Sequence, residues 1–285
     1  MRSFLPRYEL VVPQTFDEAL RLLAEDGDAR PFAGGTDLMV LLEAGSLPPT
    51  RYVSVWNLAE LKDIRVETDS VVLGALTTYA DVLADRTLAA EFPMLGHAAR
   101  DTGGIATQNR GTIAGNIANA SPAADTPPAL LAYDAELELV SVHGVRRVPY
   151  ATFHIGYKKM DLAPGEMIAA VRLPRGAAWS RQAYRKVGTR RAQAISKVCF
   201  AGALRLRDGK VEDVRLAFGS VSPTCIRASA AEAALRGRPL TDETIAAARA
   251  SLSGDIVPID DIRSTARYRA RVAVNLMSDF LSSSL

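Results

Sequence analysis

The residues best suited to chemistry lie in two glycine-rich segments. One is Ala33-Gly34-Gly35-Thr36-Asp37. The other is Gly111-Thr112-Ile113-Ala114-Gly115-Asn116, running on through Asn119-Ala120-Ser121-Pro122-Ala123-Ala124-Asp125. Glycine permits positive φ and lets a backbone approach a ligand closely, so successive N–H groups can converge on an anion. Each segment also carries hydroxyl, amide or carboxylate groups that suit sugar hydroxyls. Together they read as one split site that holds a dinucleotide from two sides. Singly, the pieces have plainer readings. Gly34-Gly35 could be a tight turn, and Gly115 a close strand crossing. Asp125 could cap a helix containing Ala129-Leu130-Leu131.

Other chemistries lack their residues. No Gly-x-Gly-x-x-Gly follows a strand and there is no phosphate loop of the Walker type. His97, His143 and His154 are scattered, with no His-Glu-x-x-His for zinc. No Gly-x-Ser-x-Gly elbow is present. Two cysteines, Cys199 and Cys225, fall short of the four thiolates of an iron–sulfur cluster. They are expected in apolar, strand-like surroundings in a reducing, cytoplasmic compartment. The net charge of +2 argues against nucleic acid as a partner. No apolar run reaches the length of a membrane span, and the N-terminus lacks a signal peptide's apolar core.

The elements that must position these segments follow from pattern. Thr15-Phe16-Asp17-Glu18 is a capping box opening a helix with Phe16, Ala19, Leu20 and Leu23 on its apolar face. A short strand over 30–33 delivers the first glycine pair at its end. Strands are expected at 52–56, 64–67 and 71–75, then a helix capped by Thr78 and another over 93–100. Residues 102–125 show no clear period and few large apolar side chains, which suits a functional irregular segment. A hairpin over 136–149 turns at His143-Gly144, and a further strand covers 167–173. Pro174-Arg175-Gly176-Ala177-Ala178 is the best linker. Beyond it come strands at 182–187, 197–207 and 210–221, the last two joined by Asp208-Gly209. Three helices follow, over 228–236, from Thr241 and over 265–281. The fold class is therefore α+β in two domains, over 1–175 and 180–285, with two βαβ-like subdomains in the first.

The two segments resemble the flavin-binding motifs of the FAD-binding, or medium, subunit of molybdenum hydroxylases, the xanthine dehydrogenase and carbon monoxide dehydrogenase family. The likeness covers essentially the whole chain. Tyr184-Arg185-Lys186, Leu216-Ala217-Phe218-Gly219, Arg227 and Arg263-Ser264-Thr265-Ala266 match that family's C-terminal domain. The resemblance implies a FAD-binding domain of the PCMH type followed by an antiparallel sheet with helices. It implies non-covalent FAD held by Ala33, Gly34, Gly35, Thr36, Asp37, Leu38, Gly111, Thr112, Ile113, Ala114, Gly115, Asn116, Asn119 and Asp125, with Ile168 and Lys186 lining the same site. Asp125 is expected to accept from ribose hydroxyls, and Lys186 to place a cation near the flavin. His97 could attach flavin covalently, as in distant relatives of the fold; it is read as structural.

The same resemblance implies an electron-transfer role, with no catalytic residue and no metal on this chain. Substrate would be oxidised on a large molybdenum-cofactor (molybdopterin) subunit. Electrons would pass through a small subunit with two [2Fe–2S] clusters, through FAD, to NAD⁺, oxygen or a quinone, in a heterotrimeric complex. The loop Val187-Gly188-Thr189-Arg190-Arg191-Ala192 is a candidate gate on the NAD⁺ side. One local departure stands out. The Gln-[Val/Ile]-Arg-Asn run common in the family is replaced by Ala106-Thr107-Gln108-Asn109-Arg110. Two alternatives stay open: a stand-alone FAD oxidoreductase of the vanillyl-alcohol-oxidase type, and a non-catalytic assembly protein. Among substrates, a purine comes first, ahead of carbon monoxide, nicotinate and aldehydes.

Overall fold

The computed structural model describes residues 8–190 and 192–283. The chain opens with β1 (Glu9–Val11), α1 (Phe16–Glu25), β2 (Arg30–Phe32), α2 (Leu38–Glu43) and β3 (Arg51–Ser54). The three strands form a parallel sheet in the order β1-β3-β2. Thr15 caps α1 by accepting from the Glu18 N–H at 3.1 Å, but the Glu18 carboxylate reaches back to the Gln14 N–H and not to Thr15. Ala19, Leu20 and Leu23 bury the face the sequence assigned to the core. Because β2 ends at Phe32, the first glycine pair leaves the sheet at its rim and turns into α2.

The next stretch holds β4 (Ile64–Val66), β5 (Ser70–Gly74), α3 (Tyr79–Ala84), α4 (Arg86–Glu91), α5 (Pro93–Asp101), α6 (Ile105–Gln108), α7 (Ile113–Ala118) and α8 (Pro127–Ala132). It ends with β6 (Glu136–Ser141), β7 (Gly144–Pro149), α9 (Tyr150–Phe153), β8 (His154–Gly156), β9 (Lys159–Met160) and β10 (Met167–Pro174). The large sheet runs β4-β5-β10-β6-β7 and is antiparallel throughout. The βαβ expectation thus describes the first subdomain and not the second. The segment 102–125 also departs from expectation. It is built from α6 and α7, too short to show a period in sequence. Thr112 caps α7 by accepting from the Gly115 N–H at 3.0 Å. Gln108 ties α6 back to the end of α5 through the carbonyls of Arg100 and Thr102.

The C-terminal part comprises β11 (Arg181–Val187), β12 (Val198–Arg207), β13 (Lys210–Gly219), β14 (Ile226–Arg227), α10 (Ser229–Leu235), α11 (Asp242–Asp255) and α12 (Ala266–Ser282). Its sheet is antiparallel, in the order β11-β12-β13-β14. Side chains alternate between the faces of a strand, and β12 divides its residues accordingly. Val198, Phe200 and Leu204 join the core under the C-terminal helices. Cys199, Ala201 and Ala203 join the core of the N-terminal part. The small residues on that second face admit α8, whose Pro127–Ala132 are all buried. The N-terminal and C-terminal parts are therefore joined by one continuous apolar seam. Around it, Arg215 and Arg227 both pair with Asp134, at 2.8 and 2.6 Å.

Candidate cofactor site

The two glycine segments meet. A Cβ added to Gly34 would lie 1.7 Å from the Arg110 carbonyl oxygen, so no side chain fits between them. Gly111 packs under the Tyr79 ring and beside the Thr36 hydroxyl, with Cβ distances of 2.7 and 3.2 Å. Asn119 closes the far end by donating to the Asp37 carboxylate at 3.1 Å. Gly35 has φ +76°, the left-handed region in which glycine escapes the Cβ penalty. Its neighbour there is the Phe32 ring. The backbone N–H groups of Gly34, Gly35, Thr36 and Asp37 have no hydrogen-bond acceptor among the described residues. A run of free donors on a backbone that glycine keeps bare is a cradle for an anion.

Gly115 plays a different part. It lies in the first turn of α7, and its added Cβ would meet only the Thr112 hydroxyl, at 2.8 Å. Its role is to fit the cap, not to supply positive φ. Ile113 and Ala114 are buried in the core beneath the second segment, while Ala33 and Leu38 are half-buried on the first. The Asn116 side chain accepts from Thr126 at 2.6 Å, fixing the chain after α7 against the start of α8.

Asp125 does not cap α8; Thr126 stands at that position with no side-chain cap bond. Instead the Asp125 carboxylate accepts from Lys186 Nζ at 2.8 Å and from the Cys199 thiol at 3.5 Å. Lys186 also donates to the Asp101 carbonyl at 2.8 Å, and the Tyr184 hydroxyl donates to the Asp125 carbonyl at 3.1 Å. Side chains of both residues in the Asp125–Lys186 pair are about nine-tenths covered or more. Burial raises the Asp125 carboxyl above the usual range, and the Lys186 charge and hydrogen bond pull it back. The Cys199 thiol is pushed up to about 12, by burial first and then by Asp125. It is a neutral donor and not a nucleophile. Three residues of the C-terminal sheet thus converge on Asp125 of the N-terminal part, two on its carboxylate and Tyr184 on its backbone carbonyl.

Ile168 stands apart from this group. It is buried in the core on β10, where the pairing with β6 shifts register. A cavity of about 400 Å³ adjoins Lys186 on the side of α5 and α12, lined by His97, Arg100, Asp101, Tyr184, Arg185 and Leu276 among others. His97 is exposed there, on α5. Among the described residues, Arg190 bonds to the carbonyls of Ala192 and Gln193 in its own loop. Its companion Arg191 lies outside the described residues.

Two further basic residues border the cradle, Arg110 through its backbone carbonyl and Lys158 through Asn119. Arg110 lays its guanidinium on Trp56, 3.7 Å from the ring centroid, so Trp56 carries a cation on one face while packing against the core. Lys158 sits between β8 and β9 with φ +56°. Its Nζ donates to the Asn119 carbonyl at 2.6 Å and also contacts the Asn119 side-chain oxygen. His154 anchors the same hairpin through Nε2, 2.9 Å from the Ile117 carbonyl. A carbonyl only accepts, so Nε2 carries the proton and Nδ1 is left to accept from Tyr150.

These residues fit the FAD expected from the sequence. FAD needs donors for its diphosphate and acceptors for its sugar hydroxyls. The bare donors at 34–37 meet the first need, and Asp37, Asn119 and Asp125 can meet the second. Among the described residues no cluster of His, Cys, Asp or Glu could hold a metal ion. No helix among them is long and apolar enough to cross a membrane.

Comparison with known proteins gives a consistent picture. Residues 6–176 match the family described as the FAD binding domain in molybdopterin dehydrogenase. Residues 182–284 match the CO dehydrogenase flavoprotein C-terminal domain. The chain is 32% identical to the glyceraldehyde dehydrogenase medium chain of Sulfolobus acidocaldarius, covering 94% of each chain. It is 33% identical to the putative xanthine dehydrogenase FAD-binding subunit of Escherichia coli, covering 94% of this chain and 92% of the other. Among solved structures, carbon monoxide dehydrogenase from Hydrogenophaga pseudoflava superposes with a TM-score of 0.93 at 32% identity, covering 97% and 96% of the two chains.

Proposed function

The chain belongs to the family of FAD-binding medium subunits of molybdopterin dehydrogenases, and from that premise we propose that it is the electron-transfer subunit of a molybdenum hydroxylase. The observation that carries this reading is the run of unpartnered N–H donors at 34–37, pressed by Gly34 against the second glycine segment. In this reading Gly34, Gly35, Thr36 and Asp37 hold the diphosphate side of FAD together with Gly111, Thr112, Gly115, Asn116 and Asn119. Asp125 takes ribose or ribityl hydroxyls, and Lys186 keeps that carboxylate ionised while placing a positive charge beside the ring. Ile168 backs the site from the core. FAD, when bound, supplies a ring system that accepts and passes on electrons.

The partners follow from what this chain lacks. It has too few cysteines for an iron–sulfur cluster. A small [2Fe–2S] subunit and a large molybdenum-cofactor subunit complete the enzyme. NAD⁺ is the acceptor we favour, approached past the loop at 187–192, where Arg190 stands exposed. The domain junction falls between 175 and 180, and the complex works in the cytoplasm. Relatives of nearly equal identity are named for glyceraldehyde and for xanthine. This chain's sequence thus does not follow the substrate, as expected if substrate is chosen on another subunit.

The test compares the isolated chain with the complex purified through it. In the complex, the hydroxylase substrate should reduce the flavin. In the isolated chain it should not, while NADH still supports dye reduction. Rapid reduction of the isolated chain's flavin by a purine, alcohol or aldehyde would replace this reading with a stand-alone oxidoreductase.

A further inference from the structure

Asp37 poses an electrostatic problem for the cradle. FAD's diphosphate is its only anionic part, and Asp37 puts a carboxylate within the donor run that would receive it. Like charges at such range repel, and a nearby cation restores binding. Lys158 is positioned to be that cation. Its Nζ is held on the Asn119 carbonyl and side-chain oxygen, and Asn119 in turn donates to Asp37. Three elements therefore meet at one point: the rim of β2, the end of α7, and the β8–β9 hairpin. Lys158 holds φ +56°, a conformation a side chain with Cβ adopts at a cost. The hairpin itself is fixed by the contact from His154 to the Ile117 carbonyl. The placement is thus determined by the fold on both sides of the lysine. At the other end of the site, Lys186 already stands against Asp125. Each of the two acidic residues is matched by one lysine.

The geometry points to Lys158 as a further FAD-binding residue, its ammonium group held beside Asn119 and Asp37 so that the cradle can accept the cofactor's diphosphate. This rests on the reading that the cradle binds FAD. The hairpin is a separate stretch of chain from both glycine segments and becomes part of the site only through the fold.

Binding to the full chain freed of flavin tests it, with FAD and with ADP as a probe for the diphosphate alone. Lys158→Met should weaken both ligands by about tenfold and flatten the salt dependence of binding, while Lys158→Arg keeps most of the affinity. In an Asp37→Asn background the same Lys158→Met change should cost about twofold or less, because the charge it offsets is gone. Wild-type affinity for both ligands in Lys158→Met would overturn the assignment. An undiminished penalty in the Asp37→Asn background would also overturn it, leaving Lys158 a strut for Asn119. Failure of the wild-type chain itself to bind FAD would bring down the underlying reading instead.

Discussion

At the scale of single residues, the site depends on a few positions where a Cβ or a charge cannot be exchanged. Gly34 is the most demanding, because an added Cβ would fall on the Arg110 carbonyl oxygen. Gly34→Ala must push the two segments apart, and FAD occupancy should be lost. Gly45 has a positive φ, +68°, which Gly34 lacks, but open space around it. Gly45→Ala should cost about 1 kcal/mol of stability and leave flavin content unchanged. Absorbance and thermal melts of the two variants side by side check this; full flavin content in Gly34→Ala would show that the glycine pair is only a turn. Asp125 illustrates how a residue's role is fixed by what it touches. Its sequence context, before Thr126-Pro127-Pro128, allowed a helix cap. The structure gives its carboxylate to Lys186 and Cys199 instead.

At the scale of elements, the sequence was informative wherever a pattern was long or punctuated. The α1 cap, the hairpin at His143-Gly144 and the Asp208-Gly209 turn, with φ +51° and +73°, formed where the residues dictated. The stretch from 102 to 125 was read as a functional segment but its structure was not legible, since α6 and α7 are too short for a hydrophobic period to emerge. The antiparallel order of the large sheet was hidden because β5 and β10, adjacent in space, are separated in sequence by seven helices, α3 to α9, and four strands, β6 to β9. Lys158 and Arg110 were missed for the same reason: their partners are brought to them only by tertiary packing. The β8–β9 hairpin also carries a pH dependence. Burial is the largest influence on His154 and lowers its pKa below 6.5. A group depressed on folding contributes stability that is present above its unfolded pKa and is lost as pH falls through the folded value. Protonation would also end the acceptor role of Nδ1 towards Tyr150. Amide-exchange protection over 154–160 should therefore fall as pH drops below about 6.5, and His154→Gln should remove that dependence. Protection in the wild-type chain that stays flat through this range would contradict the assignment.

At the scale of the whole molecule, the proposed reading makes the C-terminal sheet part of the cofactor site and not an appendage. Its small residues at 201, 203 and 217 let α8 settle on it, and the same face presents Tyr184, Lys186 and Cys199 to Asp125. If Asp125 holds FAD as proposed, FAD binding is coupled to the docking of the two domains, because an open seam leaves Asp125 without its counter-ion. With the seam closed, a buried Asp125 carboxylate stripped of Lys186 would cost roughly 3–5 kcal/mol, so the two domains must supply the pair together. The most direct measurement of the account is the flavin content of the purified full chain, before and after denaturation by heat or acid. Close to one flavin per chain is expected, released on denaturation and identified as FAD by mass. A chain that takes up no flavin even when offered FAD, or one whose flavin stays covalently attached after denaturation, would contradict it.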